Sequence, residues 1–114
     1  MARNWTFRLD DILEAIDRIE RYAGDLRSAK QLQSSGLTYD GIILRLQVIG
    51  EATKYIPAAH RNRFPDIEWQ DIVALRNFIV HEYNDIDAEI IWKVVRNKLP
   101  EYRRTIQKLK QSIG

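Results

Sequence analysis

Apolar residues recur along this chain at intervals of three and four, and no strand-type alternation persists anywhere. Ile12, Leu13, Ile16, Ile19, Tyr22 and Ala23 share one side of a first helix, with Asp10 and Asp11 in its opening turn, where the helix dipole favours anions. Gly24 ends it. Ser28 to Gln33 reads as a short second helix closed by Ser34-Ser35-Gly36. Thr38 is placed to cap a third, carrying Tyr39, Ile42, Ile43, Leu46, Ile49 and Ala52 and stopping at Pro57. Ala58 to Pro65 is expected to be a polar connection.

A central helix then starts near Glu68, with Trp69, Ile72, Val73, Leu75, Ile79 and Val80 as its apolar stripe. Asn84-Asp85-Ile86-Asp87 is turn chemistry, with Asp85 or Asp87 capping the next helix, whose buried side is expected to be Ile90, Ile91, Val94 and Val95. Pro100 allows a break or a fresh start, after which Tyr102, Ile106, Leu109 and Ile113 resume the spacing. The pattern predicts an all-α fold, an antiparallel bundle of four to five principal helices forming a single domain over residues 1–114.

Composition narrows the chemistry. Without cysteine there is neither a disulfide framework nor a thiolate metal site. Met1-Ala2-Arg3-Asn4-Trp5 lacks the apolar run of a signal peptide, and no stretch reaches membrane-spanning length, so a soluble, cytoplasmic protein is expected. The net charge of +2 says little, but its distribution is uneven. Asp10 to Asp25 is acidic, and the chain beyond Glu89 is basic except for Glu101. That basic third suits either phosphate contact or a solvated helix face.

The unusual chemistry sits at the end of the central helix, where Arg76, Asn77, His81 and Tyr83 interrupt or border the apolar stripe. Asn77 and His81 share a face, Arg76 and Tyr83 nearly eclipse on a continuous helix, and Arg76 and His81 lie about 140° apart around the axis. His60 and His81 are the only histidines and neither has a partner at ligand spacing, so no metal and no cofactor are expected. No glycine-rich phosphate loop or serine elbow is present. A histidine moves protons near neutrality, and an arginine stabilises charge on phosphate. Together they suffice for RNA cleavage in which the 2′-hydroxyl attacks the neighbouring phosphate. Such cleavage works best with two proton carriers, and a symmetric homodimer would supply the second histidine and bring the arginine and histidine of two chains together. Trp5, Phe7, Phe78, Ile86 and Trp92 exceed the obvious needs of the core and are candidates for that interface. Against this stands a bland reading, in which Arg76 and His81 form helix-end capping and ion-pair contacts.

Arg76-Asn77-Phe78-Ile79-Val80-His81-Glu82-Tyr83 resembles the Arg-Asn-x3-His-x-Tyr signature of HepT-like ribonuclease toxins in the HEPN superfamily. Leu46 to Ala52 looks like that family's third-helix segment, and Phe64-Pro65-Asp66-Ile67-Glu68-Trp69 like the approach to its catalytic helix. Ile86-Asp87, Ile91-Trp92 and Leu99-Pro100 extend the similarity across most of the chain; Asn84-Asp85 departs from it, replacing an aromatic-glycine pair. The resemblance implies a HEPN-like homodimeric endoribonuclease with Arg76 and His81 as the catalytic pair and Asn77 in support. It also implies a nucleotidyltransferase-fold antitoxin as partner, and Tyr83 as the tyrosine that partner modifies with AMP. Glu51 is either a partner that orients Arg76 or a surface residue paired with Lys54. Two other readings stay open: a catalytically inactive docking subunit for the nucleotidyltransferase, and a purely structural helical dimer.

Overall fold

The structure, a computed structural model, describes residues 5–113. Met1–Asn4, most of the stretch read as unlike a signal peptide, lie outside them. The described residues are helical with short turns: α1 (Phe7–Ala23), α2 (Ala29–Gln33), α3 (Leu37–Thr53), α4 (Ala58–Arg61), α5 (Trp69–His81), α6 (Ala88–Lys93) and α7 (Leu99–Ile113). A 3-10 turn, Tyr83–Asp85, follows α5, and a π-helical segment, Val94–Lys98, joins α6 to α7. Four long rods therefore make the bundle: α1, α3, α5 and the continuous run from Ala88 to Ile113.

Local chemistry sets several boundaries. Ser28 caps α2 by accepting the Gln31 amide at 3.1 Å, and Asp87 caps α6 by accepting the Glu89 amide at 2.9 Å. Gly24 follows α1, as its sequence predicts. Two expectations change and one is narrowed. α3 starts at Leu37 behind Gly36, whose φ of 64° is the left-handed conformation glycine adopts without strain, so Thr38 lies inside the helix instead of capping it. The polar connection after Pro57 contains one helical turn, α4. And of the two options at Pro100 the break is not taken: α7 starts afresh at Leu99, joined without interruption to the π-helical turn by the Leu99 amide reaching back to the Val94 carbonyl.

The rods run antiparallel. Tyr22, late in α1, lies over Gly41, early in α3; Gly50, late in α3, meets Ile72 and Arg76 of α5, while Asp40 meets Tyr83 just beyond α5. α7 crosses back along α1, with Arg103 paired to Asp17 and Glu20, and Lys110 to Asp10. These pairs give the uneven charge a partial role: Arg103 and Lys110 of the basic third face acids of the first helix. The core is dominated by Ile12, Ile16 and Ile19 of α1, Ile42 and Ile49 of α3, Ile79 and Ile91, and Ile106 and Leu109 of α7. Each such side chain contributes about 1.5–3 kcal/mol relative to exposure. Thr53, fully buried, donates to the Ile49 carbonyl at 2.7 Å and accepts from the Tyr102 hydroxyl at 2.6 Å, so both buried hydroxyls are satisfied. Tyr102 also meets Trp69 edge-on.

Burial departs from the sequence expectation at helix ends and edges. Ile90, Val80 and Ile113 are exposed. Of the interface candidates, Trp5, Ile86 and Trp92 are partly buried against the core, whereas Phe78 stays 44% exposed. No helix of the described residues is long and apolar enough to cross a membrane.

Candidate active site

The site is built where α5 crosses α3. Trp69 anchors the start of α5, its indole N–H reaching the carbonyls of Arg61 and Phe64, each at 3.1 Å. One turn before Thr53, Gly50 lets the two helix backbones approach: a Cβ there would sit 2.2 Å from Arg76 Cβ and 3.1 Å from the Ile72 carbonyl. Only a residue without a side chain fits. This close approach fixes the base of the Arg76 stem.

The head of Arg76 is fixed as well. One terminal nitrogen lies 3.3 Å from Glu51 Oε2, and the other donates to Asn77 Oδ1 at 3.0 Å. Glu51 simultaneously faces Lys54 Nζ at 3.5 Å, so the two roles considered for it are both realised. With Arg76 27% and Glu51 35% exposed, this pair adds little stability, less than about 1 kcal/mol. Its effect is orientation. A guanidinium carries five N–H donors in a rigid fork, and two partners leave others free to meet a phosphate.

His81 is the last residue of α5 and is exposed, its side chain making no hydrogen bond or ion pair with another described residue. The helix neither bulges nor tightens between Arg76 and His81, since regular bonding continues to the Glu82 amide, which reaches Phe78 O at 2.7 Å. Arg76, Asn77 and Glu51 are thus brought together, and His81 is directed elsewhere around the axis. Ala74, Asn77, Phe78 and His81, spaced by three and four, form one exposed stripe.

Tyr83 does not eclipse Arg76, because α5 ends at His81 and Tyr83 falls in the 3-10 turn. Its hydroxyl, on a half-exposed side chain, donates to Asp40 Oδ1 at 3.0 Å. That bond to Asp40, and the negative charge behind it, push the phenol above its usual range. Asp40 and Glu51 stand about three turns apart on α3, roughly 16 Å along the axis. On the other flank of α5 lies an apolar groove of about 450 Å³, floored by Ile72, Leu75, Phe78, Ile86 and Val94. Asp66, Glu68, Asp71 and Glu101 rim it, and the Glu68 carboxyl is pushed upward by the hydrogen bond its protonated form donates to Asp71 and by neighbouring negative charge, against the pull of Lys98. Among the described residues no group of three or more His, Cys, Asp or Glu side chains is arranged to hold a metal.

Gly50 and Asp40 are the site residues that sequence reasoning passed over. A glycine inside an apolar helix costs about 1 kcal/mol against alanine, which is itself a sign of close packing. Asp40 carried no such mark.

The profile of the family described as "Ribonuclease HepT-like" matches residues 12–109. The chain is 30% identical over 111 residues to a protein of Thermococcus cleftensis named "Probable ribonuclease HepT", covering 97% of this chain and 100% of that one. Two proteins of Methanocaldococcus jannaschii, each named as a "Putative RNase", are 34% identical over 105 residues (92% and 86% covered) and 31% identical over 99 residues (87% and 90% covered). No solved structure matches at a significant level.

Proposed function

The chain belongs to the ribonuclease HepT-like family, and we propose that it is a metal-independent endoribonuclease toxin working through Arg76 and His81. The observation that carries this reading is the bracing of Arg76 by Glu51 and Asn77, on the same helix as an exposed, unpartnered His81. A braced guanidinium is preorganised for a phosphate whose charge grows in the transition state. In the proposed step the 2′-oxygen of RNA bonds to the adjacent phosphorus as its proton passes to a base. The bond from phosphorus to the 5′-oxygen breaks, and that oxygen takes a proton from an acid. The products are a 2′,3′-cyclic phosphate and a 5′-hydroxyl.

Base and acid are the His81 side chains of two protomers. Pairing along the exposed stripe from Ala74 to His81, with the half-exposed Phe78 and its neighbouring groove as apolar contact, would bring two arginines and two histidines to one cleft. A nucleotidyltransferase-fold antitoxin would neutralise this cytoplasmic toxin by transferring AMP from ATP to Tyr83 with release of pyrophosphate, the phenol being half-exposed and bonded to Asp40, a carboxylate placed to take its proton. The added phosphate brings charge and bulk beside the cleft.

The test is RNA cleavage in the presence of a chelator. The expected result is a cyclic-phosphate product from RNA and no cutting of a substrate whose scissile nucleotide lacks the 2′-hydroxyl. Cleavage of that 2′-deoxy substrate would overturn the mechanism. Mixing wild-type with His81→Ala subunits tests the shared cleft: a hybrid dimer lacks one of the two proton carriers, so activity falling below the wild-type fraction supports it, and activity simply proportional to that fraction counts against it.

A further inference from the structure

A second group of cations and rings lies one turn away from Arg76, and the cleavage chemistry above does not use it. Glu51, which braces Arg76, also holds Lys54. The next residue, Tyr55, is 47% exposed, and the Arg8 guanidinium lies over its ring at 3.9 Å. Beside them the Trp5 and His60 rings meet with centroids 5.0 Å apart. Arg8, Arg61 and Arg63 pair with no carboxylate among the described residues. Arg8 Nε, His60 Nδ1 and Arg61 Nε are moreover buried without a hydrogen-bond partner. Along the α1–α7 seam cations are matched with acids. Here Arg8, Arg61 and Arg63 gather positive charge beside aromatic faces, and of the group only Lys54 has a carboxylate partner.

We propose that Arg8, Lys54, Tyr55 and His60 form a platform that holds single-stranded RNA alongside the Arg76 site. The chemistry is that of sequence-tolerant single-strand binders: cations track the phosphates while bases stack on rings, whose faces every base can use. Tyr55 offers a ring already backed by a guanidinium, and Lys54, which shares Glu51 with Arg76, bridges the interval to the Arg76 site. A duplex, with its bases stacked inside, cannot use the ring. The platform therefore selects unpaired RNA and fixes which nucleotide reaches the cleft. The substrate class rests on the ribonuclease reading, but its test does not require cleavage.

The experiment measures anisotropy of a labelled 2′-O-methyl RNA of about twelve nucleotides, within the usual site size of single-strand binders and immune to attack by its own 2′-oxygen. Tyr55→Ala should weaken binding by about tenfold, and Tyr55→Phe, which keeps the ring, should bind like wild type. Lys54→Gln should lower the slope of affinity against salt by about 0.7, the value for one phosphate contact on a single strand. Circular dichroism and melting identify a variant that fails to fold, and Lys54, exposed at a helix end, keeps the test decisive if Tyr55→Ala does. Unchanged affinity and salt slope would overturn the platform, and a lower melting temperature with unchanged affinity would make the Arg8–Tyr55 contact a clip between α1 and α3. Wild type that binds this probe but never cuts unmethylated RNA would sink the ribonuclease reading alone. Cutting without any dependence of affinity on Tyr55 or Lys54 would sink the platform alone.

Discussion

The two flanks of α5 are built to opposite plans. Against α3 the helix is pressed so close that Gly50 has no room for a methyl group, and the arginine on that side is held at stem and head. On the other flank Asn77, Phe78 and His81 face outward, and the histidine touches nothing that would fix it. The side chains differ in what they need. Arginine has a long stem with about 2 kcal/mol of rotamer entropy, so it aims at a phosphate only when something restrains it. Imidazole has a short stem and serves by exchanging protons, so access matters more than bracing. On the proposed mechanism, one protomer completes the electrostatic half of its site and leaves the proton-transfer half open to a second.

The contrast can be broken most severely at His81. His81→Ala should reduce RNA cleavage by about 10²–10⁴-fold with an unchanged melting temperature, because the open flank carries chemistry and little packing. Full cleavage by the folded variant would end the assignment. Arg76→Lys keeps the charge and loses the fork; the expected fall in kcat/KM is about 10²-fold, and wild-type behaviour would reduce Arg76 to a diffuse positive charge. Gly50→Ala attacks the pressed flank without touching either group. The helices must part, which costs about 1–3 kcal/mol on denaturant titration and displaces Arg76 along with its cleavage rate. An unaltered denaturation midpoint would show that the contact is softer than it looks.

Glu51→Gln sharpens the distinction between orientation and stability. Cleavage should drop roughly fivefold, equivalent to about 1 kcal/mol, while a partly exposed ion pair leaves denaturation nearly unmoved. The smallest effect is expected away from both flanks, at the buried Tyr102. Burial pushes its phenol well above the ordinary value of 10.0, outweighing the opposing hydrogen bond with Thr53 and the nearby Arg61 charge. A group whose pKa rises on folding stabilises the fold below its unfolded value, and that contribution is lost as pH climbs from there through the folded value. Wild type should therefore lose stability above pH 10, and Tyr102→Phe should lose less there, at a neutral-pH cost of about 1 kcal/mol for the missing hydrogen bond. Parallel alkaline profiles would refute this.

What could be read from the chain follows from how local each cause is. The four long helices come from the spacing of isoleucines and leucines, and the Ser28 and Asp87 caps from side chains bonding their own next turn. Gly36 displaced Thr38 as the start of α3 because a left-handed residue reverses the chain before a threonine hydroxyl can act. Val80 and Ile90 match the helical pattern yet lie outside, since the pattern gives a side of a helix but not how far a neighbour covers it. At the site, Arg76, Asn77 and His81 were visible as costly polar residues in an apolar helix. The Glu51 contact with Arg76 was one of two options, and only the crossing of α3 and α5 shows that both are made. The bond from Tyr83 to Asp40 joins elements distant in sequence, and neither residue announces the other.

The π-helical turn at Val94–Lys98 acts as a phase adjuster. It admits one more residue per turn than an α-helix, so Ala88 and Ile91 before it and Leu99 and Tyr102 after it can all face the core even though Pro100 withholds its amide. Length in this segment is consequently a coordinate of the fold. Removing one residue there would turn everything downstream by about 100°, swinging Tyr102 from Thr53 and Arg103 from the acids of α1, whereas most single substitutions would leave the setting alone.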